Sequence, residues 1–539
     1  MISDLTSLRK EYIATRMTKS CISCGNRQNF SITSSKPEPC KLSRGKPCAS
    51  CLELEIFDRN AQAILEGLSE NRRRILEKIN QCHDPFIQRL PLELASQVFT
   101  FCIPPQAPDG DPRYVSLLWN NSKRRIKPFN IVLGAICRAW RQVAWSTPKL
   151  WSTLPIALYR SKNKDYMDLI LEWLGRSAQI PLDIFVAYNR VAVEKPTTLT
   201  EDLWKPLIDI ANGCSSRWRS FNINAPGFVF AHITGDGRGT SILESLHIFD
   251  AECHQYQRSS HRFSLKNAIP KPRHLASDTM PLRSIDIDWS NLSIIDIGDL
   301  HVNEILALLR WVPRLTRCTL SCLQDGEDDH LSPPTPTHHR TLEILDIQIL
   351  DEPQTAEQLL NLLILPSLIY LLYDSGCISL ENVAAFLDRS ACKLTTLYDL
   401  NGSFQDLLTL APRLQELEKL EYPGDIGDGI QLPIQGDEIG RNILPNLREL
   451  SIHSGWVSWH LLADLIALCP LKTLSIYIED FGLDDRQCLV DEAFTCRFED
   501  LIKNGYNLKV TCRGRGESED HDLLAWSAQC RMSQPGAAD

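Results

Sequence analysis

Leu447-Arg448-Glu449-Leu450-Ser451-Ile452 and Leu471-Lys472-Thr473-Leu474-Ser475-Ile476 are two copies of one pattern: a leucine, two polar residues, then aliphatic residues alternating with a polar one. Alternation of period two puts every second side chain on one face of an extended strand. The pattern occurs earlier as Leu243-Glu244-Ser245-Leu246-His247-Ile248 and Leu282-Arg283-Ser284-Ile285-Asp286-Ile287. Variants start at Leu315, Leu342, Leu368, Leu394 and Leu414, and a first copy reads Trp218-Arg219-Ser220-Phe221-Asn222-Ile223. The starts lie about 20–39 residues apart, several near 26, the period of leucine-rich repeats with insertions.

Working outward from these strands, helical runs fill the gaps: Glu304 to Trp311, Ala356 to Leu365, Glu381 to Leu387, Phe404 to Leu410 and Trp459 to Leu468. Several end near a proline (Pro313, Pro366, Pro412, Pro470), which cannot continue a helix. A strand–helix unit buries its faces only against its neighbours, so the units stack. The fold class is α/β, with an irregular leucine-rich-repeat-like solenoid of parallel strands plus helices over residues 155–512. A flat α/β stack is the alternative. Middle strand positions would face a partner: His247, Asp286, Asp288, Asp346, Gln348, Ser451, His453, Ser475 and Tyr477. The recurring acids there point to a basic target surface.

Upstream, residues 85–152 alternate short apolar helices with aromatic residues. Pro91 suits a first helical turn, where no amide donor is needed, and Glu93 complements the helix dipole. Three motifs follow in order: Leu90-Pro91-x-Glu93, Cys137-Arg138-x-Trp140-Arg141 and Thr147-Pro148-x-Leu150-Trp151. Their order closely resembles the F-box-like domains of mushroom-forming fungi, over about 70 residues. One departure is a long inserted loop at 104–129 between the first helix and the rest. The resemblance implies a small all-α, three-helix module that docks on a Skp-type adaptor of a cullin ubiquitin ligase. It assigns Leu90, Pro91, Leu94, Val98, Ile136 and Trp140 to the adaptor contact. Phe99, Cys137, Trp145, Leu150 and Trp151 would then form the module's core. The function implied is substrate recognition for that ligase. A protein-interaction scaffold without ligase output and a zinc-binding regulator are the other readings.

Residues 52–84 form one amphipathic helix, with Phe57, Ala61, Ile64, Leu68, Ile75 and Ile79 on one face. It is either a coiled coil or a helix packed on the next domain. Residues 1–51 are polar and cysteine-rich. Cys21-x-x-Cys24 and Cys48-x-x-Cys51 are two knuckles able to supply four thiolates to structural zinc. Residues 513–539 read as a polar tail.

Composition excludes several classes. A net charge of −10 over 539 residues leaves no basic footprint for nucleic acid. The longest apolar stretch, Leu359 to Tyr373, is interrupted by Pro366 and too short to span a membrane. The amino terminus shows no signal-peptide pattern, which points to the cytoplasm or nucleus with reduced cysteines. Nucleophile-elbow, Walker, dinucleotide-binding and zincin motifs are absent. No catalytic residue is assigned, no cofactor is required, and the protein target stays unknown.

Overall fold

The structure is a computed structural model. It describes residues 48–83, 90–103, 129–158, 164–188, 201–238, 241–251, 260–278, 280–324, 335–348, 353–373, 378–399, 404–424, 443–454, 457–460, 462, 466, 469–481, 490, 492–514 and 520–532. Cys21, Cys24 and most of the 104–129 insert fall outside these residues. The chain divides into two compact units, one of residues 1–99 and 133–144, the other of residues 100–132 and 145–539.

The smaller unit contains α1 (Ala49–His83) and parts of three short helices: α2 (Leu92–Phe101), α3 (Phe129–Ile136) and α4 (Arg138–Ser146). The charged face of α1 carries its own ion pairs, Arg59 with Glu55 at 3.2 Å and Arg73 with Glu77 at 2.8 Å. Its apolar stripe is not buried: Ile64, Leu65, Leu68, Ile75, Leu76 and Ile79 are all exposed.

The larger unit is mixed α/β. Among the described residues its centre is one fifteen-stranded sheet whose strands pair in chain order. They are β1 (Thr153–Ala157), β2 (Leu182–Ala187), β3 (Trp218–Ala225), β4 (Ser245–Asp250), β5 (His274–Ser277), β6 (Ile294–Gly298), β7 (Arg317–Ser321) and β8 (Ile344–Gln348). There follow β9 (Tyr370–Tyr373), β10 (Thr396–Asp399), β11 (Lys419–Tyr422), β12 (Glu449–Ser454), β13 (Thr473–Phe481), β14 (Asn507–Gly514) and β15 (His521–Asp522). The ladder is parallel from β1 to β14, and β15 closes it antiparallel. Parallel neighbours require a crossover, and helices supply several of them. Among these are α5 (Lys164–Arg176), α6 (Glu201–Asn212), α7 (Val302–Trp311), α8 (Pro353–Leu362), α9 (Leu380–Ser390) and α10 (Phe404–Leu410). Two more, α11 (Glu492–Lys503) and α12 (Leu523–Met532), lie near the carboxyl end.

In seven of the sequence copies the opening leucine has a fixed structural place. Leu243, Leu315, Leu342, Leu368, Leu394, Leu447 and Leu471 are buried two residues ahead of their strands. At that point one backbone carbonyl accepts two successive amides of the next unit. Thr316 O takes Glu343 N and Ile344 N, both at 2.9 Å; Glu343 O takes Ile369 N at 2.9 Å and Tyr370 N at 3.0 Å. The arrangement recurs at Ile369 O, Thr395 O, Glu418 O and Arg448 O, so register passes from unit to unit through the main chain. One aliphatic column then runs through the interior in register: Leu345, Leu371, Leu397, Leu420, Leu450 and Leu474. Burial of this column, at about 1.5–3 kcal/mol per large aliphatic side chain, drives the stacking.

Three sequence expectations change. Leu282–Ser284 is a short 3-10 turn, and Ile285 makes only an isolated bridge to Phe263. The ladder strand lies ten residues on, where Leu292 and Ile295 take the two leucine positions and are fully buried. Leu414 likewise gives way to Leu417, the buried residue two ahead of β11. His338 belongs to a two-residue strand paired with Leu363–Ile364, and His339 is buried with Nε2 2.9 Å from Val312 O. Within the expected tail, residues 520–532 are folded: Leu523 is fully buried, Asp522 Oδ1 accepts the amides of Leu524 and Ala525, and Val490 N donates to Ser527 Oγ. Its apolar Leu523-Leu524-Ala525-Trp526 run, behind an Asp cap, is the signal that an overall polar composition conceals.

Candidate functional site

Two regions carry the residues singled out from the sequence. In the smaller unit, Pro91 precedes α2 and its carbonyl accepts Ala95 N at 3.0 Å, starting the helical ladder. Ala95 and Phe99 point inward and are buried, one turn apart. Phe99 meets Trp140 with ring centroids 4.8 Å apart and planes at 42°. Leu133, Val143 and Ala144 are also buried. Cys137 begins α4: its carbonyl accepts Arg141 N at 3.0 Å and its sulfur the Trp140 amide at 3.4 Å. Arg141 Nε then reaches back to Gly134 O at 2.7 Å.

With that interior filled, Leu92, Leu94 and Ile136 remain exposed. Pro91 is exposed, while Leu90 and Val98 are half-buried. Trp140, expected at an adaptor contact, is half-buried and packs on Phe99. Trp145, Leu150 and Trp151 fall in the larger unit. The Arg176 guanidinium lies 3.7 Å from the centroid of the exposed Trp145 ring and 4.6 Å from that of the buried Trp151 ring. Trp173 meets Trp151 edge-on at 5.0 Å and donates Nε1–H to Trp151 O at 3.1 Å. These aromatic residues anchor the start of the sheet.

The second region is the face of the sheet opposite the aliphatic column. A row of register partners crosses it: Asn222, His247, Ala276, Asp296, Thr319 and Asp346. His247 is only 2% exposed. Burial pushes its imidazole down to about 3, the nearby His274 adds to this, and Asp296 opposes it. Ser245 Oγ lies 2.6 Å from His247 Nε2 and 3.5 Å from His274 Nδ1, and His274 Nε2 lies 2.8 Å from Asp296 Oδ2. One set of donors satisfies all three contacts: His247 Nε2–H to Ser245, Ser245 O–H to His274 Nδ1, and His274 Nε2–H to Asp296.

Burial acts to raise the Asp296 carboxyl, but hydrogen bonds from His274 and Thr319 outweigh it and hold it below the usual range. Asp346 behaves oppositely: burial and the Asp296 charge push it up to about 6, against a hydrogen bond from Gln348. Ser451 pairs in register with Ser475 and His453 with Tyr477, whose rings lie 5.7 Å apart. Arg513 lies 5.5 Å over the Tyr477 ring. Asp286 and Asp288 are not in the ladder. Asp286 accepts from Ser264 Oγ at 2.9 Å, and Asp288 caps a turn at Trp289–Asn291 and pairs with Lys271 at 2.8 Å.

His274 and Asp296 were not among the residues predicted from the sequence. The segment Leu292-Ser293-Ile294-Ile295-Asp296-Ile297 carries the full strand pattern, so its signal was present and only its phase was misread. One imidazole–carboxylate pair on this face, His274 with Asp296, is hydrogen-bonded, and Asp346 accepts instead from Gln348. Cys48 is half-buried and Cys51 buried at the start of α1. Among the described residues no group of three or more His, Cys, Asp or Glu side chains is arranged to hold a metal ion, and no helix is long and apolar enough to cross a membrane. No protein-family model matches the chain, and no curated protein matches it.

Proposed function

We propose that this chain is a non-catalytic substrate-recognition subunit of a Skp–cullin–F-box ubiquitin ligase. The carrying observation is that α2 and α3 expose Leu92, Leu94 and Ile136 although Ala95, Phe99 and Leu133 already fill the interior beside them. Covering outward aliphatic side chains of this kind removes apolar area from water, which favours association by about 25 cal/mol per Å2. Together with the Leu90-Pro91-x-Glu93 and Cys137-Arg138-x-Trp140-Arg141 motifs, they suit a Skp-type adaptor. The larger unit, in this reading, is an irregular leucine-rich-repeat domain. The repeated buried leucine ahead of each strand and the chain-order parallel ladder support it. Its polar face would hold the protein target, and transfer would be accelerated by proximity alone. Such a ligase works in the cytoplasm or nucleus.

The test is capture of the purified protein by a fungal Skp-type adaptor, beside a Leu90→Ala, Pro91→Ala double variant and a Leu94→Asp variant. Binding by the wild type that both variants lose supports the proposal. A folded wild type that does not bind overturns it and leaves an interaction scaffold.

A further inference from the structure

We propose that α1 is a dimerisation helix, pairing antiparallel with α1 of a second copy of this chain. The helix runs 35 residues, Ala49–His83. Ile64, Leu65, Leu68 and Ile75 are between 58% and 63% exposed, and Leu76 and Ile79 are 44% and 45% exposed. Their spacing of three, four and seven residues gathers them in one stripe. An isolated helix in water gains little from propensity alone, and an amphipathic one is stabilised by covering its apolar face.

The charges of the helix indicate what covers it. Residues 49–70 carry Glu53, Glu55, Asp58, Glu66 and Glu70 against Arg59 alone, a net −4. Residues 71–83 carry Arg72, Arg73, Arg74 and Lys78 against Glu77 alone, a net +3. The helix is therefore close to neutral overall but strongly polar along its length. A second copy laid antiparallel sets each acidic half against a basic half; laid parallel, it sets like against like. Complementarity of this sort fixes orientation and partner. The helix dipole does not account for the segregation, because its influence fades within the first and last turns and these charges reach the middle.

Size is consistent with pairing. A 35-residue helix is about 52 Å long, and a strip about 15 Å wide along it covers roughly 750 Å2, near the about 800 Å2 per partner of a standard interface. Pairing centred on residue 66 brings Ile64 against Leu68 of the second copy. Phe57 then lies toward Ile75 of the second copy.

The experiment is sedimentation of the full chain at increasing salt, beside a Leu68→Glu, Ile75→Glu double variant. The wild type is expected to sediment as a dimer whose dissociation constant rises at least tenfold from low to high salt. The double variant should be a monomer whose larger unit keeps its melting temperature, since both positions face outward in the single chain. A monomeric wild type overturns the proposal, including the case in which residues 1–47 occupy the stripe and their removal releases a dimer. A dimer that survives the double substitution places the interface elsewhere and also overturns it. A dimer that tightens with salt overturns the antiparallel arrangement. None of these readouts involves the adaptor, so failure here and failure of the proposed ligase role are separable.

Discussion

His274 and Asp296 stand on neighbouring strands with Nε2 and Oδ2 2.8 Å apart, joining two otherwise separate polar groups on one face of the sheet. On one side the contact orients His274 toward Ser245 and the buried His247. On the other it steadies the carboxylate whose charge acts on Asp346. The Asp296 charge adds to burial, the larger cause, in raising Asp346, and it opposes burial at His247.

His247 should make the protein acid-sensitive. Its folded value lies near 3 against an ordinary 6.5. Above about pH 6.5 both folded and unfolded chains hold it neutral, and the contribution is fully present. Below that, the unfolded chain takes a proton that the folded chain refuses, so stability falls as pH drops toward 3. By pH 5 the loss should reach about 2 kcal/mol. Urea melts at pH 7 and pH 5 should show a smaller loss for His247→Gln; an equal loss would remove His247 as the cause.

Asp346 should act with the opposite sign. Its carboxyl is raised from 3.8 to about 6, so the folded chain holds a proton there between those values and loses stability as pH rises through them. Asp346→Asn should raise stability at pH 7 by about 1 kcal/mol, a figure reduced for partial exposure. Asp296→Asn should lower the Asp346 midpoint, followed by NMR titration. A midpoint unchanged in Asp296→Asn would show that the Asp296 charge does not contribute to it.

Position along the aliphatic column should set the cost of truncating it. Leu371 is fully buried with Leu345 and Leu397 as register partners. Leu371→Ala should cost about 3 kcal/mol. Leu508, paired with Leu474 on the last parallel strand, is half-buried, and Leu508→Ala should cost about 1 kcal/mol. Equal costs in guanidinium denaturation would contradict a core continuous through the stack.

Within the small helices, stability and binding should separate. Trp140→Ala removes the partner of Phe99 and should lower stability by about 2–3 kcal/mol. Leu94→Asp alters an exposed position and should leave the melting temperature within about 1 °C while abolishing adaptor capture. A Leu94→Asp protein that melts early would place Leu94 in the interior.

The repeat was legible because period-two alternation behind a leading leucine is local. Strands at Ser245, Glu449 and Thr473 start two residues after the leucine that announces them, and the helix over Phe404–Leu410 has the expected bounds. The strand pattern at Leu292 is equally local, but the stronger-looking copy at Leu282 competes with it, and the sequence holds no measure of which one its neighbours will pair with. That choice belongs to the ladder: residues 294–297 find register partners on both sides, whereas Ile285 finds only Phe263.

Sequence alone determined the α/β alternation, the apolar stripe of α1 and the aromatic anchors, since each follows from the order of side chains along one element. Tertiary structure decided which of those residues face inward and which polar groups meet. Trp140 and Trp145 lie five positions apart in one helical motif, yet one packs on Phe99 and the other stands exposed beneath Arg176. His274 and Asp296 are 22 residues apart, and only the parallel pairing of their strands closes the gap to hydrogen-bonding distance, because register is a property of the assembled sheet.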